Sequence, residues 1–215
     1  MNIRIRPALS VIVFATMLRP AMAGLFEDGE AAYRCRDYPA AMQNWMPLAE
    51  QSDVKSQVKV GSMYSFGFGV PQSYETAVSW FRKAAEQGNA DAEFLLGNSY
   101  DFGHGVSRDQ HVAAEWYTKA ANQGHGLAAG KLGLLYLQGQ DVAQDFSQAV
   151  IWLKRAAEHG DPIALAALSG MYSTGFGVPK DLDEADRLRR SFQEQAQRVG
   201  TAPRPAANHG CQNKP

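Results

Sequence analysis

The stretch GSMYSFGFGVPQSYETAVSWFRKAAEQGNADAEFLLG, residues 61–97, decides the fold, because the chain repeats its pattern at a constant interval. Aromatic, aliphatic and glycine residues recur 36 positions apart. These series are Tyr64, Tyr100, Tyr136 and Tyr172; Trp80, Trp116 and Trp152; Val70, Val106, Val142 and Val178; and Gly67, Gly103, Gly139 and Gly175. A fixed interval of this length is typical of repeat proteins, in which each unit buries its apolar face against its neighbours.

Each unit divides into two helices, which we designate helix A and helix B. Apolar residues in helix A follow the i, i+3, i+4 spacing of one helical face, as in Val60, Met63 and Tyr64. Small residues at positions 61, 97, 133 and 169 predict that helix B lies close to that face. The candidate N-caps are Asp53, Asn89, His125 and Asp161 for helix A, and Ser73, Asp109, Asp145 and Asp181 for helix B. The pattern therefore predicts an all-α fold.

The repeat interval also sets the predicted domain boundaries. A signal peptide over 1–23 is followed by a degenerate N-terminal capping repeat over 24–53. Complete repeats follow at 54–89, 90–125 and 126–161, and a C-terminal repeat with a capping helix occupies 162–199. In this last repeat Leu188 and Arg189 replace the tryptophan and the aromatic residue after it. Residues 200–215 are rich in Pro, Gly and Asn without periodicity, which predicts a disordered tail.

The first 23 residues have the layout of a secretory signal peptide. Arg4 and Arg6 precede an apolar run over 8–18, and Ala21-Met22-Ala23 fits a cleavage site. The run is too short to span a bilayer, so no membrane span is expected after cleavage, although a retained amphipathic anchor is the alternative. We predict export, to the periplasm in the first instance, with secretion as the other possibility.

The net charge limits the classes of binding partner, and the positions of the two cysteines limit how they can pair. Cleavage at residue 23 lowers the 21 Lys and Arg to 18 and leaves the 22 Asp and Glu, a formal charge of −4, so nucleic acid is not an expected partner. Cys35 and Cys211 lie near opposite ends of a stack that should hold them apart, and a disulfide needs Cα atoms within about 7 Å. Two unpaired thiols are the favoured expectation. A bridge through the tail, or between two chains, stays open.

No catalytic or cofactor-binding arrangement is apparent. His104 and His111, with Asp101 and Asp109 nearby, are the only histidines that share a repeat loop, and we interpret them as solvated loop residues rather than a metal site. The chain has no nucleophile elbow, phosphate loop or zinc-protease motif. The expectation is a protein that is not an enzyme, with no cofactor and no metal. The repeated Tyr and Trp are assigned to packing.

With these residues assigned, the chain resembles the Sel1-like repeats, which are similar to tetratricopeptide repeats but have a longer loop between their helices. Residues 90–125 hold one full copy of the family pattern, and Asp141 replaces the second loop glycine in the next copy. Because Asp tolerates positive φ, we expect that loop to persist. The resemblance implies a right-handed α/α superhelix with helix A on the concave side. It also implies an adaptor role, because family members act mostly in protein complexes.

The variable positions on helix A point to a binding surface. These positions differ between repeats, whereas the positions assigned to the core do not, and exposed contiguous apolar surface marks interaction sites. The predicted partner-binding residues are Phe66, Phe94, Asn98, Asp101, Phe102, Leu134, Leu137 and Gln138. Packing of some of these side chains against the neighbouring helix A is the alternative.

The leading hypothesis for function is an exported scaffold that binds a protein or peptide in the concave groove. Two other hypotheses stay open. The resemblance alone supports a binder or weak hydrolase of β-lactams or cell-wall material, although the family members with that activity carry a cysteine pair in each repeat. Self-association through the end faces or through Cys211 is the third.

Overall fold

The computed structural model describes residues 24–201 and Cys211, and residues 24–201 fold into ten α-helices. The predicted signal peptide over 1–23 lies outside the described residues. The tail predicted over 200–215 also lies outside them, except for Cys211 and the last two residues of the final helix. The helices are α1 Leu25–Arg34, α2 Tyr38–Glu50, α3 Val54–Phe66, α4 Tyr74–Ala85, α5 Ala90–Phe102, α6 Gln110–Asn122, α7 Gly126–Gln138, α8 Phe146–Glu158, α9 Pro162–Thr174 and α10 Leu182–Thr201.

Each repeat forms one helix pair, so the predicted all-α repeat superhelix is confirmed. Helices α3, α5, α7 and α9 are the A helices, and α4, α6, α8 and α10 are the B helices. Each helix makes most of its contacts with the helices before and after it, which is the contact pattern of a solenoid. None of the helices within 24–201 combines the length and the apolar content that crossing a bilayer requires.

The predicted N-caps are confirmed at all eight positions. Asp53 and Asn89 accept hydrogen bonds from the backbone N–H groups of Ser56 and Ala92 at 2.8 and 2.9 Å. His125 caps α7 with its ring, because Nδ1 accepts from Ala128 N–H at 3.1 Å. Each cap is a hydrogen bond between residues no more than three positions apart, and this explains why the sequence predicts the caps so well.

Mid-helix glycines mark the closest contacts between helices A and B. A Cβ on Gly61 would lie 2.6 Å from the Phe81 ring, and a Cβ on Gly97 would lie 2.6 Å from the Tyr117 ring. Ser169 occupies the same position in α9, and its hydroxyl donates to the carbonyl oxygen of Ala185 at 2.8 Å. The predicted close approach is therefore confirmed.

The repeated tyrosines and tryptophans serve packing, as expected. Trp80 and Trp152 are buried, and Trp116 and the four repeated tyrosines are half-buried against the core clusters. A cation covers each indole: Lys83 Nζ lies 4.0 Å from the Trp80 ring centroid and Lys119 Nζ lies 3.8 Å from that of Trp116. Each indole therefore packs toward the core, and the cationic group lies on its solvent-facing side.

The loop at Asp141 differs from the expectation. Asp141 does not adopt positive φ. In the described part of the chain, only Arg36 and Ser52 do so among the non-glycine residues. At the corresponding positions, Gly105 and Gly177 lie against the backbone of Tyr74 and Phe146, where a side chain would clash. The carboxylate of Asp141 instead pairs with Arg108 at 3.0 Å, and the third loop takes its own conformation.

The expectation of two unpaired thiols is wrong. Cys35 and Cys211 form a disulfide, with their Cα atoms 5.4 Å apart across a sequence separation of 176 residues. The alternative of a bridge through the tail is the one that the structure shows. Cys211 lies beyond Thr201, the last residue of the final helix, so the stacking of the helices does not fix its position.

Candidate functional site

Two of the predicted binding residues, Phe66 and Phe102, are exposed large aromatic side chains. Each is the last residue of its A helix, and the following glycine, Gly67 or Gly103, adopts the left-handed conformation that ends the helix. The chain leaves the helix axis immediately after each phenylalanine, so no later turn covers the ring. As a result Phe66 is 64% and Phe102 is 55% exposed.

The two phenylalanines border a cavity of about 360 Å³ between the first and second complete repeats. Four of the predicted residues line it. They are Phe66, Phe94, Asn98 and Phe102. Tyr74, His104 and Lys131 line it as well, and the sequence analysis did not assign these three to a site. We refer to the cavity bounded by these seven residues as the aromatic pocket.

Ring stacking between successive repeats fixes one side of the pocket. The His104 ring stacks on Tyr74, the first residue of α4, with centroids 4.5 Å apart, and on Phe102 at 5.8 Å. In the preceding repeat, Phe68 stacks in the same way on Tyr38 at 4.5 Å and on Phe66 at 5.5 Å. Where the second complete repeat meets the third, all three corresponding positions are glutamine: Gln110, Gln138 and Gln140. The pocket thus lies where two aromatic stacks are adjacent.

That co-variation was available in the sequence. The residue after the helix A glycine and the first residue of the preceding helix B are aromatic together or glutamine together, which indicates direct contact. The predicted binding residues came only from helix A positions, so they did not include Tyr74 and His104.

Lys131 brings a positive charge to the pocket. Its Nζ lies 4.8 Å from the Phe102 ring centroid, within the range of a cation–π contact. No ion pair involves Lys131 among the described residues, whereas Lys59, at the corresponding position of the first complete repeat, pairs with Glu30 at 2.7 Å. An aromatic wall beside an unpaired ammonium group suits a ligand with an apolar and an anionic part.

Two of the three polar residues of the predicted site, Asn98 and Asp101, already have partners within the chain. The Tyr117 hydroxyl lies 2.7 Å from Asn98 Oδ1 and 3.3 Å from Asp101 Oδ2, and Gln110 donates to Asp101 Oδ1 at 2.9 Å. Burial, followed by the charge of Asp101 and the hydrogen bond to it, raises the pKa of Tyr117, so this hydroxyl stays protonated. The network fixes the floor of the pocket.

The remaining predicted residues are distributed differently. Phe94 is half-buried and stacks on His125 with centroids 4.6 Å apart. Leu134 and Leu137 are half-buried and pack against the core cluster, and they do not line the aromatic pocket. Gln138 is exposed, also away from the pocket.

His125 and His104 both have structural roles. Besides capping α7, His125 places Nε2 3.4 Å from Asp91 Oδ1. His104 stacks between rings, and Asp109 caps α6. Within the described residues, no three His, Cys, Asp or Glu side chains are grouped in a way that could hold a metal ion.

Comparison with known proteins identifies the repeat. Residues 54–89, 90–125, 126–161 and 162–185 match the family described as Sel1 repeat. The chain is similar to the crystal structure of a Sel1 repeat protein from Oxalobacter formigenes, with 38% identity, a TM-score of 0.73 and coverage of 78% of this chain and 69% of that one.

A second solved structure is c5321, a protective antigen of uropathogenic Escherichia coli with an SLR fold. It is 30% identical, with a TM-score of 0.77, and the match covers 83% of this chain but 40% of the larger protein. No protein with a curated description is significantly similar.

Proposed function

Because the chain belongs to the Sel1 repeat family, whose fold is typically a protein-interaction scaffold, we propose that it binds a protein or peptide partner in the aromatic pocket. The partner inserts an apolar side chain between Phe66 and Phe102, and Phe94 forms the inner surface. Asn98 forms part of the pocket floor and keeps its hydrogen bond with Tyr117 when the partner binds.

One observation carries this proposal: two large aromatic side chains, each more than half exposed, border the same cavity. Exposing phenylalanine to water forfeits about 1.5–3 kcal/mol of burial per side chain, so two such residues at one cavity favour an interaction site. Aromatic anchors in a central pocket are also the usual hot spots of protein interfaces.

We further propose that the protein acts after export, as a non-catalytic component of an envelope or extracellular complex. Two features support this. Residues 1–23 have the order of charge, apolar run and small residues that signal peptidases recognise. A disulfide such as Cys35–Cys211 is typical of proteins in oxidising compartments, which is compatible with export.

The pocket proposal is tested with a partner isolated by crosslinking from the source organism and then purified. Binding is measured for wild type, for the double variant Phe66→Ser, Phe102→Ser, and for Phe176→Ser. Phe176 is a matched control, because it is 55% exposed on the last repeat loop and stacks on Phe146 away from the pocket. We expect the double variant to bind at least about tenfold more weakly and the control to bind as wild type. Equal affinity of all three proteins would refute the proposal.

Export is tested separately. Cell fractionation, followed by mass spectrometry of the purified protein, should place the chain outside the cytoplasm with Gly24 as its first residue. A cytoplasmic protein that retains Met1 would contradict the export proposal without affecting the pocket proposal.

A further inference from the structure

A second cavity lies at the other end of the repeats, bordered by α8, α9 and α10. Its volume is about 470 Å³. Leu168 and Leu188 form an apolar floor, Tyr172 forms a wall, and Lys154, Glu158 and Ser191 stand at the rim. We refer to this cavity as the C-terminal cleft.

The preceding repeat shows what occupies the corresponding space. Trp152, which is 36 residues before Leu188, is 8% exposed. Arg155, 36 residues before Ser191, places its guanidinium 4.5 Å from the Trp152 ring centroid. Its Nη1 lies 3.4 Å from Oδ1 of Asn122, which corresponds to Glu158. An indole fills the space, and a cation three residues later covers it.

The last repeat lacks both parts of this arrangement. Leu188 remains in the core but is smaller than an indole, and Ser191 is too short to act as a lid. Glu158 replaces the neutral acceptor Asn122 with a carboxylate, which forms no ion pair among the described residues. Arg187 does not serve as the lid, since both of its hydrogen bonds go to Glu184 at 2.6 Å.

We propose that the C-terminal cleft binds a helical segment of a partner protein that carries tryptophan and, three residues later, arginine or lysine. The indole lies on Leu168 and Leu188 beside Tyr172. The basic residue pairs with Glu158. The partner thereby supplies the two groups that Trp152 and Arg155 supply one repeat earlier.

Two observations favour this occupant. The chain builds the same pairing three times, with Lys83, Lys119 and Arg155 each three residues after its tryptophan. Residues 202–215 contain no Trp, Phe or Tyr, so this segment cannot provide the indole. The cleft also lies apart from the aromatic pocket, and the two sets of lining residues do not overlap.

The test uses residues 24–215 with the disulfide intact and a fluorescein-labelled, alanine-based helical peptide containing Trp-Ala-Ala-Arg. We expect saturable binding below about 1 mM by fluorescence anisotropy. A peptide with leucine in place of tryptophan should bind at least about tenfold more weakly. A peptide with glutamate in place of arginine should also bind more weakly. This second loss should disappear in Glu158→Gln.

Two variants fill the cleft from within. Leu188→Trp restores the indole, and Ser191→Arg restores the lid opposite Glu158. Each should abolish peptide binding while the circular dichroism spectrum stays that of wild type. Phe176→Ser, outside both the cleft and the aromatic pocket, should leave peptide binding unchanged. The proposal is overturned if the peptide does not bind, if the leucine peptide binds equally well, or if folded Leu188→Trp and Ser191→Arg both retain binding.

Discussion

Replacing Gly97 with alanine tests whether glycine is required in helix A for steric reasons. A Cβ at this position would lie 2.6 Å from Cδ1 and 2.7 Å from Cε1 of Tyr117. Carbon atoms in van der Waals contact are about 3.5–4.0 Å apart, so the new methyl group would overlap the ring. The ring has little freedom to move, because Tyr117 is fully buried and its hydroxyl lies 2.7 Å from Asn98 Oδ1.

Two contributions of opposite sign determine the change in stability. Alanine favours the helical conformation over glycine by about 1 kcal/mol. Forcing an additional methyl group into a packed core costs about 1–3 kcal/mol, and the anchored ring places Gly97 at the upper end. We therefore expect Gly97→Ala to lower the free energy of unfolding by about 2 kcal/mol.

Gly170 provides the matched control. It lies within α9, is exposed, and has no atom within 4 Å of the position that a Cβ would take. Only the helix propensity changes at this position, so Gly170→Ala should raise the free energy of unfolding by about 1 kcal/mol.

Urea denaturation followed by circular dichroism at 222 nm measures both variants. The expected difference between them is about 3 kcal/mol, which is far larger than the error of the method. If Gly97→Ala is as stable as Gly170→Ala, the close approach of Tyr117 does not require glycine, and the steric explanation of the glycine series is wrong.

Three further predictions concern buried polar groups and the disulfide. Ser56→Ala should raise the free energy of unfolding by about 1 kcal/mol in urea denaturation, because the fully buried Ser56 hydroxyl has no hydrogen-bond partner in the described structure; an unchanged midpoint would contradict this. Burial raises the pKa of Glu93, although the hydrogen bond with Gln123 acts in the opposite direction. The stability that protonated Glu93 contributes is therefore complete below its unfolded pKa of 4.5. It is lost as the pH rises through the higher pKa of the folded state. Glu93→Gln should therefore stabilise the protein at pH 7 but not at pH 4 in thermal unfolding, and an equal effect at both values would refute the desolvation argument. Replacing Cys35 and Cys211 with serine should lower the free energy of unfolding by about 2–5 kcal/mol, and dithiothreitol should destabilise the wild type but not the variant.

Local chemistry explains why so much of the fold could be predicted. A cap such as Asp53 needs only the backbone N–H three residues later, and a glycine such as Gly103 ends a helix through its own conformation. The repeat makes each such signal visible several times, so a single ambiguous residue does not alter the boundaries. His125 shows this well, because its place in the series predicts a cap although histidine is seldom one.

The site was predictable only in part, because it depends on contacts between repeats. Helix periodicity identifies Phe66 and Phe102 as candidates, but it does not show that His104 and Lys131 approach the same cavity. Leu134 and Leu137 have the same periodicity and pack instead against the core. Which apolar side chain stays exposed depends on how the next repeat is rotated, and no residue within the first repeat encodes that rotation.

The amino-acid sequence by itself determined the helix pairs, their boundaries, their caps and the places where a small residue allows helix B to come close, because these follow from interactions within one 36-residue unit. Only the tertiary structure decided that Cys211 meets Cys35 and that two exposed phenylalanines share a pocket. It also decided that Leu188 leaves a cleft where Trp152 leaves none. These three features join residues from different repeats or from the two ends of the chain, and their distances depend on how every intervening helix stacks.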